Sequence, residues 1–356
     1  MSILNRYLIR EITASILLVM LALLAMFSFF DFIGELENIG RGSYGMRQML
    51  MIVLLSAPGH VYEVAPVAVL VGTMHALGQL SRYSELIVMR TSGVSIVRLS
   101  GVLLRVGLMF AVVTFLVGEL VTPYSEKTAK RLRIKATDSV IAQDFRSGLW
   151  VKDGNSFVNV EDVSLNAGLL NIHIYEFDSE FRLRNITNAK SGKFDKEQWA
   201  LQEVAQINFE KNQIRRKTFA DANWDSLIRP ELLNVLLVQP EKMSAWNLYT
   251  YIHHLRINKQ KSSRYDIALW AKLIYPLANV VMVLLALPFG FLQQRASGAS
   301  TKIMAGMMLG IIYQVLNKVF VHLGLLYDWP ALFSAITPTL LFLLAGVMML
   351  RWVNRH

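Results

Sequence analysis

Long uninterrupted apolar runs constrain this chain more than any other feature. They fall at residues 12–33, 48–78, 99–122, 266–290, 302–325 and 331–350. Each is long enough to cross a bilayer core of about 30 Å as a helix rising about 1.5 Å per residue. Three runs come early and three late, and from Tyr124 to about Tyr265 no run could span. With 54% apolar and 17% charged residues, the chain is too apolar and too weakly charged for an ordinary soluble protein. Arg6 and Arg10 precede the first run, which exceeds a usual signal-peptide core and shows no small-residue cleavage site. It is therefore expected to stay as an anchor. The expected fold class is a membrane α-helical protein of six transmembrane helices with an inserted all-β domain. Its divisions are 1–123, 124–265 and 266–356.

Several runs carry irregularities. The second contains Pro58, Gly59 and Pro66, with His60 and Glu63 between them. Proline removes a backbone hydrogen bond and clashes with the preceding turn, so a kinked or broken helix is expected. Pro123 closes the third run, and Arg105 within it can snorkel to an interface. Residues 125–137 read as a basic helix.

From about Ser139 the pattern turns to period two. Asp153-Gly154-Asn155 before Phe157-Val158 is a strong hairpin signal, because Asp and Gly accept positive φ. Leu170, Ile172 and Ile174 alternate with Asn171, His173 and Tyr175, and further strands are expected near Leu183, over Trp199–Phe209 and over Ile214–Phe219. A sandwich or jelly-roll type follows. Residues 244–258 then read as a helix capped by Ser244, with Trp246, Leu248, Tyr249, Ile252 and Leu255 on one apolar side.

The net charge of +10 raises the question of nucleic acid, but the basic residues form no single patch. Many flank the apolar runs, which is the pattern of topological signals. The N-terminus, the stretch between the second and third runs, the 291–302 loop and the C-terminus hold Arg6, Arg10, Arg82, Arg90, Arg98, Arg295, Lys302, Arg351 and Arg355. The opposite short loops hold Arg41 and Arg47 against Asp31, Glu35 and Glu37, then Asp328. Both termini are expected in the cytoplasm and the β domain on the far side.

No GxxxxGK[ST] phosphate loop, HExxH or GxSxG occurs, and cysteine is absent. The chain is expected to carry no cofactor or metal of its own. His60 and Glu63 read as a polar pair at a kink before they read as a metal site, and His253-His254 as a surface feature. Intramembrane charge is more informative, because a lysine at mid-bilayer costs roughly 3 kcal/mol on insertion scales. Asp31 and Lys318 fall at similar depth near the external ends of the first and fifth runs, and Lys272 near that of the fourth. They either line a cavity for an anionic amphiphile, with Glu35, Arg41 and Arg47 beside them, or sit at interfaces and snorkel.

The polar stretch Gly78–Ser95 reads as a short helix over about 79–94, stopped by Gly93. Glu85 is its one acid, among Arg82, Arg90 and Arg98, and Leu86 to Met89 are apolar in succession. Such a face suits a partner groove. With no nucleotide site in the chain, this helix is expected to receive work from a separate ATPase, with Leu86 and Met89 seated in that groove.

Taken in order, these motifs resemble the lipopolysaccharide export permeases of the LptF/LptG family, on the LptG-type side. The carriers are Arg6-Tyr7 with Arg10-Glu11, Ser84-Glu85-Leu86 with Ser92-Gly93, and Gly148-Leu149-Trp150. They continue with Lys152-Asp153-Gly154-Asn155, Phe157-Val158, Trp270, Lys272, Pro276 and Ala286-Leu287-Pro288-Phe289. The resemblance covers essentially the whole chain. It implies a bacterial inner-membrane heterodimer with an LptF-type paralogue, two copies of the ATPase LptB binding ATP and Mg, and a single-span LptC. It further implies the periplasmic bridge protein LptA, with lipopolysaccharide as cargo and membrane lipids around it. The first and fifth spans would form gate and cavity wall, and Glu85 would contact the ATPase. Relatives often carry lysines where Asp31, Glu35 and Glu37 stand here, and lipid phosphates repel carboxylates unless cations intervene. Competing readings are a permease for lipoprotein or peptide release, against which six spans argue, and a membrane scaffold without transport.

Overall fold

The computed structural model describes residues 3–137, 148–163, 168–178, 180–195, 198–210, 213–226, 239–291 and 299–355. The expected loop around Arg295 and the start of the β pattern at Ser139 lie outside them.

Six helical segments are long and apolar enough to cross a membrane. The first is α1, Ile3–Leu36, followed by α2, Met46–Arg82, and the short α3, Glu85–Thr91. The second run is not broken at its prolines, because α2 continues through both Pro58 and Pro66. Neighbouring side chains add hydrogen bonds to its backbone there. Thr122 Oγ1 donates to the Pro58 carbonyl at 3.2 Å, and the Tyr275 hydroxyl and Gln314 Nε2 each donate to the Glu63 carbonyl at 2.6 Å. These bonds tie α2 near its two prolines to α5, to the turn at Pro276 and to the fifth span.

The third span does not stop at Pro123. Helix α4, Ile96–Leu116, passes through a π turn, Val117–Val121, into α5, Thr122–Thr137. Pro123 is the second residue of α5, just after the π turn has re-spaced the hydrogen-bond ladder, so the missing N–H falls where the pattern already changes.

After the β domain come a 3-10 turn, Pro240–Lys242, and α6, Ala245–Ile257. Ser244 caps α6 as expected, accepting from the Asn247 amide at 3.2 Å. The fourth span divides at Pro276 into α7, Ser263–Ile274, a 3-10 turn, Tyr275–Leu277, and α8, Ala278–Phe291. Helices α9, Ala299–Leu326, and α10, Ala331–Arg355, complete the membrane part.

Helix α2 is the hub, packing on α1, α5, α8 and α9. One core joins Leu70, Leu77 and Leu80 of α2 to Ile12 and Ile16 of α1, Leu103 of α4 and Met282, Leu285 and Leu287 of α8. A helix enclosed on several sides must be apolar all round, as the second and fourth runs are. Helices α1 and α9 are the least covered of the six. Leu17, Leu18, Leu21, Phe29 and Phe30 of α1, and Met304, Met308, Ile311 and Val315 of α9, remain exposed.

The inserted domain is a six-stranded antiparallel sheet in sequential order. Its strands are β1, Leu149–Asp153; β2, Ser156–Val163; β3, Leu169–Phe177; β4, Leu183–Asp195; β5, Gln198–Glu210; and β6, Gln213–Trp224. The expected hairpin is present, with Asp153 opposite Ser156 and Gly154 at φ +58°. Among the described residues the sheet is an up-and-down meander without the crossovers of a strict jelly roll. Val158, Val160, Ile172, Ile174, Trp199 and Leu201 fill its core, with Val151 and Trp224 packed on them from the first and last strands. The expected alternation in β3 slips by one residue. Leu169, Ile172 and Ile174 point inward and Leu170 outward, because Asn171 takes a left-handed φ of +50°. Asparagine is one of the few non-glycine residues that enters this region readily.

Candidate functional site

Two polar regions lie at opposite ends of the helical bundle. The first is the joint between α2 and α4. One helix over 79–94 was expected; instead α2 ends at Arg82 and α3 starts at Glu85. Ser84 between them has φ +59°, a left-handed residue that a continuous helix does not contain. Gly93 stops α3 at φ +86°, and the Val94 amide closes the end on the Met89 carbonyl at 3.0 Å. Ser95 then caps α4.

Within this joint, Glu85 is half-buried and its carboxylate accepts from the Tyr7 hydroxyl of α1 at 2.9 Å. Leu86 is buried in the protein's own core and Met89 packs against that core. Leu86 therefore faces inward, and Met89 is only partly exposed. The outward apolar surface belongs to Tyr83, Ile87 and Val88. Arg82 and Arg90 are exposed on either side of α3. A seven-residue helix held on one face and presenting two aliphatic side chains between arginines is suited to contact a second protein.

The second region is the end of α1 beyond residue 30. Asp31 Oδ2 accepts from His60 Nε2 of α2 at 2.6 Å, and Phe27 stacks on the imidazole at 5.3 Å. Four residues on, Glu35 is buried. It receives the Tyr44 hydroxyl at 2.6 Å, Asn38 Nδ2 at 3.0 Å and the guanidinium of Arg133 on α5. Burial, reinforced by the bond to Glu35, pushes the Tyr44 phenol well above its ordinary range. The Ala136 carbonyl accepts from the amide of Ser43 at 2.7 Å, which ties the loop between α1 and α2 to α5.

The expected cavity residues are not drawn into one cluster. Arg41 is exposed and reaches Asn38, Arg47 is exposed, and Lys318 is exposed on α9. Lys272 is buried instead. It donates to the Met243 carbonyl, and its ammonium lies 5.7 Å from the centre of the Tyr62 ring. That contact attaches the segment returning from the β domain to the fourth span. His60 and Glu63 do not come together, since His60 faces Asp31 while Glu63 is exposed.

Sequence reading missed Tyr7, Tyr44 and Arg133. Arg133 stands 98 residues from Glu35, so no local spacing pairs them. Its only signal was the basic helix at 125–137.

A six-span bundle with an inserted sheet and a short helix between spans is the architecture of a multi-pass membrane protein. The chain belongs to the family of the lipopolysaccharide export system permease LptF/LptG, whose model matches residues 6–352. It is similar to the lipopolysaccharide export system permease protein LptG of Escherichia coli strain K12, 30% identical over 98% of both chains. It is also similar to the protein of the same name from Haemophilus influenzae strain Rd, 29% identical over 98% of this chain and 97% of that one. It is accordingly a multi-pass inner-membrane protein and a permease of the lipopolysaccharide export system.

Proposed function

We propose that this chain is the LptG-type half of an ATP-driven exporter that extracts lipopolysaccharide from the inner membrane and hands it to a periplasmic bridge. The observation that supports this most is the family match from residue 6 to 352, which takes in all six spans and the inserted sheet. An LptF-type paralogue completes the membrane dimer. Two copies of LptB supply ATP hydrolysis with Mg, and LptC leads to LptA. Both termini and α3 face the cytoplasm, where the flanking arginines favour them, and the β domain faces the periplasm.

Helix α3 is the docking element for the ATPase, with Glu85, Arg82 and Arg90 as its polar contacts and Ile87 and Val88 as its apolar one. Purification in mild detergent should bring down an ATPase with the chain. Glu85→Ala should weaken that association and depress lipid export. A normal ATPase complex with full export in Glu85→Ala would refute the assignment.

Lipid phosphates meet Lys318, Arg41 and Arg47, whose side chains are exposed. Glu35 repels phosphate less than its sequence implies, because Arg133 already pairs with it, and Asp31 is turned to His60. A photoreactive residue at 318 should crosslink lipopolysaccharide during turnover; its failure to do so would remove Lys318 from the path.

A further inference from the structure

Helix α6 leaves an aromatic end uncovered among the described residues. Its buried side, Leu248, Ile252 and Leu255, faces the protein. On the other side Trp246 is 72% and Tyr249 59% exposed, their rings 6.3 Å apart. The position of this end relative to the spans follows from contacts at three levels.

Returning from the sheet, the chain passes Lys242, which pairs with Glu126 of α5 at 2.6 Å. It then reaches Ala245, whose amide donates to Glu119 of the π turn at 2.8 Å. Glu119 is seven positions closer to the bundle than Glu126, so the chain descends along α5. Met243 meets Lys272 at this lowest point. Beyond it the chain climbs back beside α7. Leu248 packs with Ala268, Tyr251 with Tyr265 at 4.6 Å between ring centres, and Arg256 pairs with Asp266 at 2.8 Å. The segment 240–257 is therefore a dip, with Ala245 and Trp246 at its floor.

Depth follows from helix length. From Gly290, the far end of the fourth span, back to about residue 270 is some 20 residues, or about 30 Å, the thickness of a hydrocarbon core. The floor of the dip, at the level of Lys272, thus coincides with the boundary between hydrocarbon and headgroups. Trp270, Tyr124 and Tyr249 are exposed near the same level. Trp and Tyr concentrate at this boundary because their rings are apolar and their edges polar. Above it the surface turns charged, with Lys261 paired to Asp328 at 3.1 Å and Arg264 to Glu241 at 3.6 Å.

We propose that α6 is a membrane-surface anchor, with Trp246 and Tyr249 inserted at headgroup level in the bilayer leaflet next to the β domain. The occupant of this face is bilayer lipid rather than a partner protein. The depth argument does not depend on the exported cargo or on which side is cytoplasmic. The anchor fixes the height at which the β domain rejoins the bundle.

The chain has no cysteine, so single labels can be placed cleanly. Spin labels on W246C and Y249C would be compared in the intact complex in lipid nanodiscs, with the cysteine-free parent as background. Leu341→Cys, on the exposed face of α10, gives the lipid reference, and Phe181→Cys in the β domain gives the aqueous one. The ratio of oxygen to water-soluble nickel chelate collisions at 246 and 249 should lie between the high value at 341 and the low value at 181, at least twofold above the latter. A ratio at 246 and 249 less than twofold above that at 181 overturns the proposal. Exclusion of both reagents also overturns it, because protein would then cover the face.

Discussion

At Glu35 three donors meet one carboxylate, and that convergence decides what the residue does. The Tyr44 hydroxyl, the Asn38 amide and the Arg133 guanidinium all point to it. Glu35→Ala should lower the unfolding free energy by about 2 kcal/mol, because a buried phenol and a half-exposed guanidinium lose their acceptor. Tyr44→Phe removes one bond and should cost about 1 kcal/mol. Melting of the detergent-solubilised chain measures both; Glu35→Ala no worse than Tyr44→Phe would show that Arg133 contributes nothing. Lys272 poses a similar choice. Its ammonium is buried against the Met243 carbonyl, so Lys272→Met should destabilise the return segment by about 2 kcal/mol, while Lys272→Gln retains a donor and most of the stability. Equal losses in the two variants would point away from that hydrogen bond.

Among the elements, the contact of α1 with α2 depends on one missing side chain. A Cβ at Gly72 would lie 2.5 Å from Ile16 Cα, and backbone cannot move aside as a side chain can. Gly72→Ala should therefore cost about 1–3 kcal/mol and loosen α1 from the hub, read as faster amide exchange along residues 12–20. Helix α3 allows a sharper comparison. Leu86→Ser should destabilise the chain by about 2 kcal/mol, since it removes a buried aliphatic group. Ile87→Ser and Val88→Ser should leave melting unchanged and reduce the amount of copurifying ATPase. The reverse pattern would restore the inward residues as the docking face. Caps and turns of this kind were legible in advance: Ser244, Gly93 and the Asp153–Asn155 hairpin all stand where local chemistry put them. Pro123 and Asn171 were not. A π turn and a left-handed asparagine reset the local pattern, and neither has a sequence signature of its own.

For the molecule as a whole, the exit from the β domain is fastened along the helix that enters it. Glu126 holds Lys242, and Glu119 holds the first amide of α6. The two connections should consequently move together. Glu119→Ala should release the Ala245 amide and speed its exchange roughly fivefold, the equivalent of about 1 kcal/mol, while amides in the sheet core stay slow. An unchanged rate at 245 would mean that the π turn does not hold the return segment.

The sequence by itself determined which segments cross the membrane, where the sheet is inserted, that α3 lies between spans, and the resemblance to a family. Those properties depend on run length, period and local turn chemistry, all carried by neighbouring residues. Tertiary structure alone decided which polar side chains meet. Asp31 found His60, Glu35 found Arg133 and Lys272 found Met243 across separations that no local pattern encodes. It also decided which side of α3 faces outward, because the burial of Leu86 depends on the helices around it rather than on its own neighbours. Charges that read as a free binding surface in one dimension were partly consumed by one another in three, since an unpaired charge at the edge of a membrane is costly and a folded bundle brings distant partners within reach.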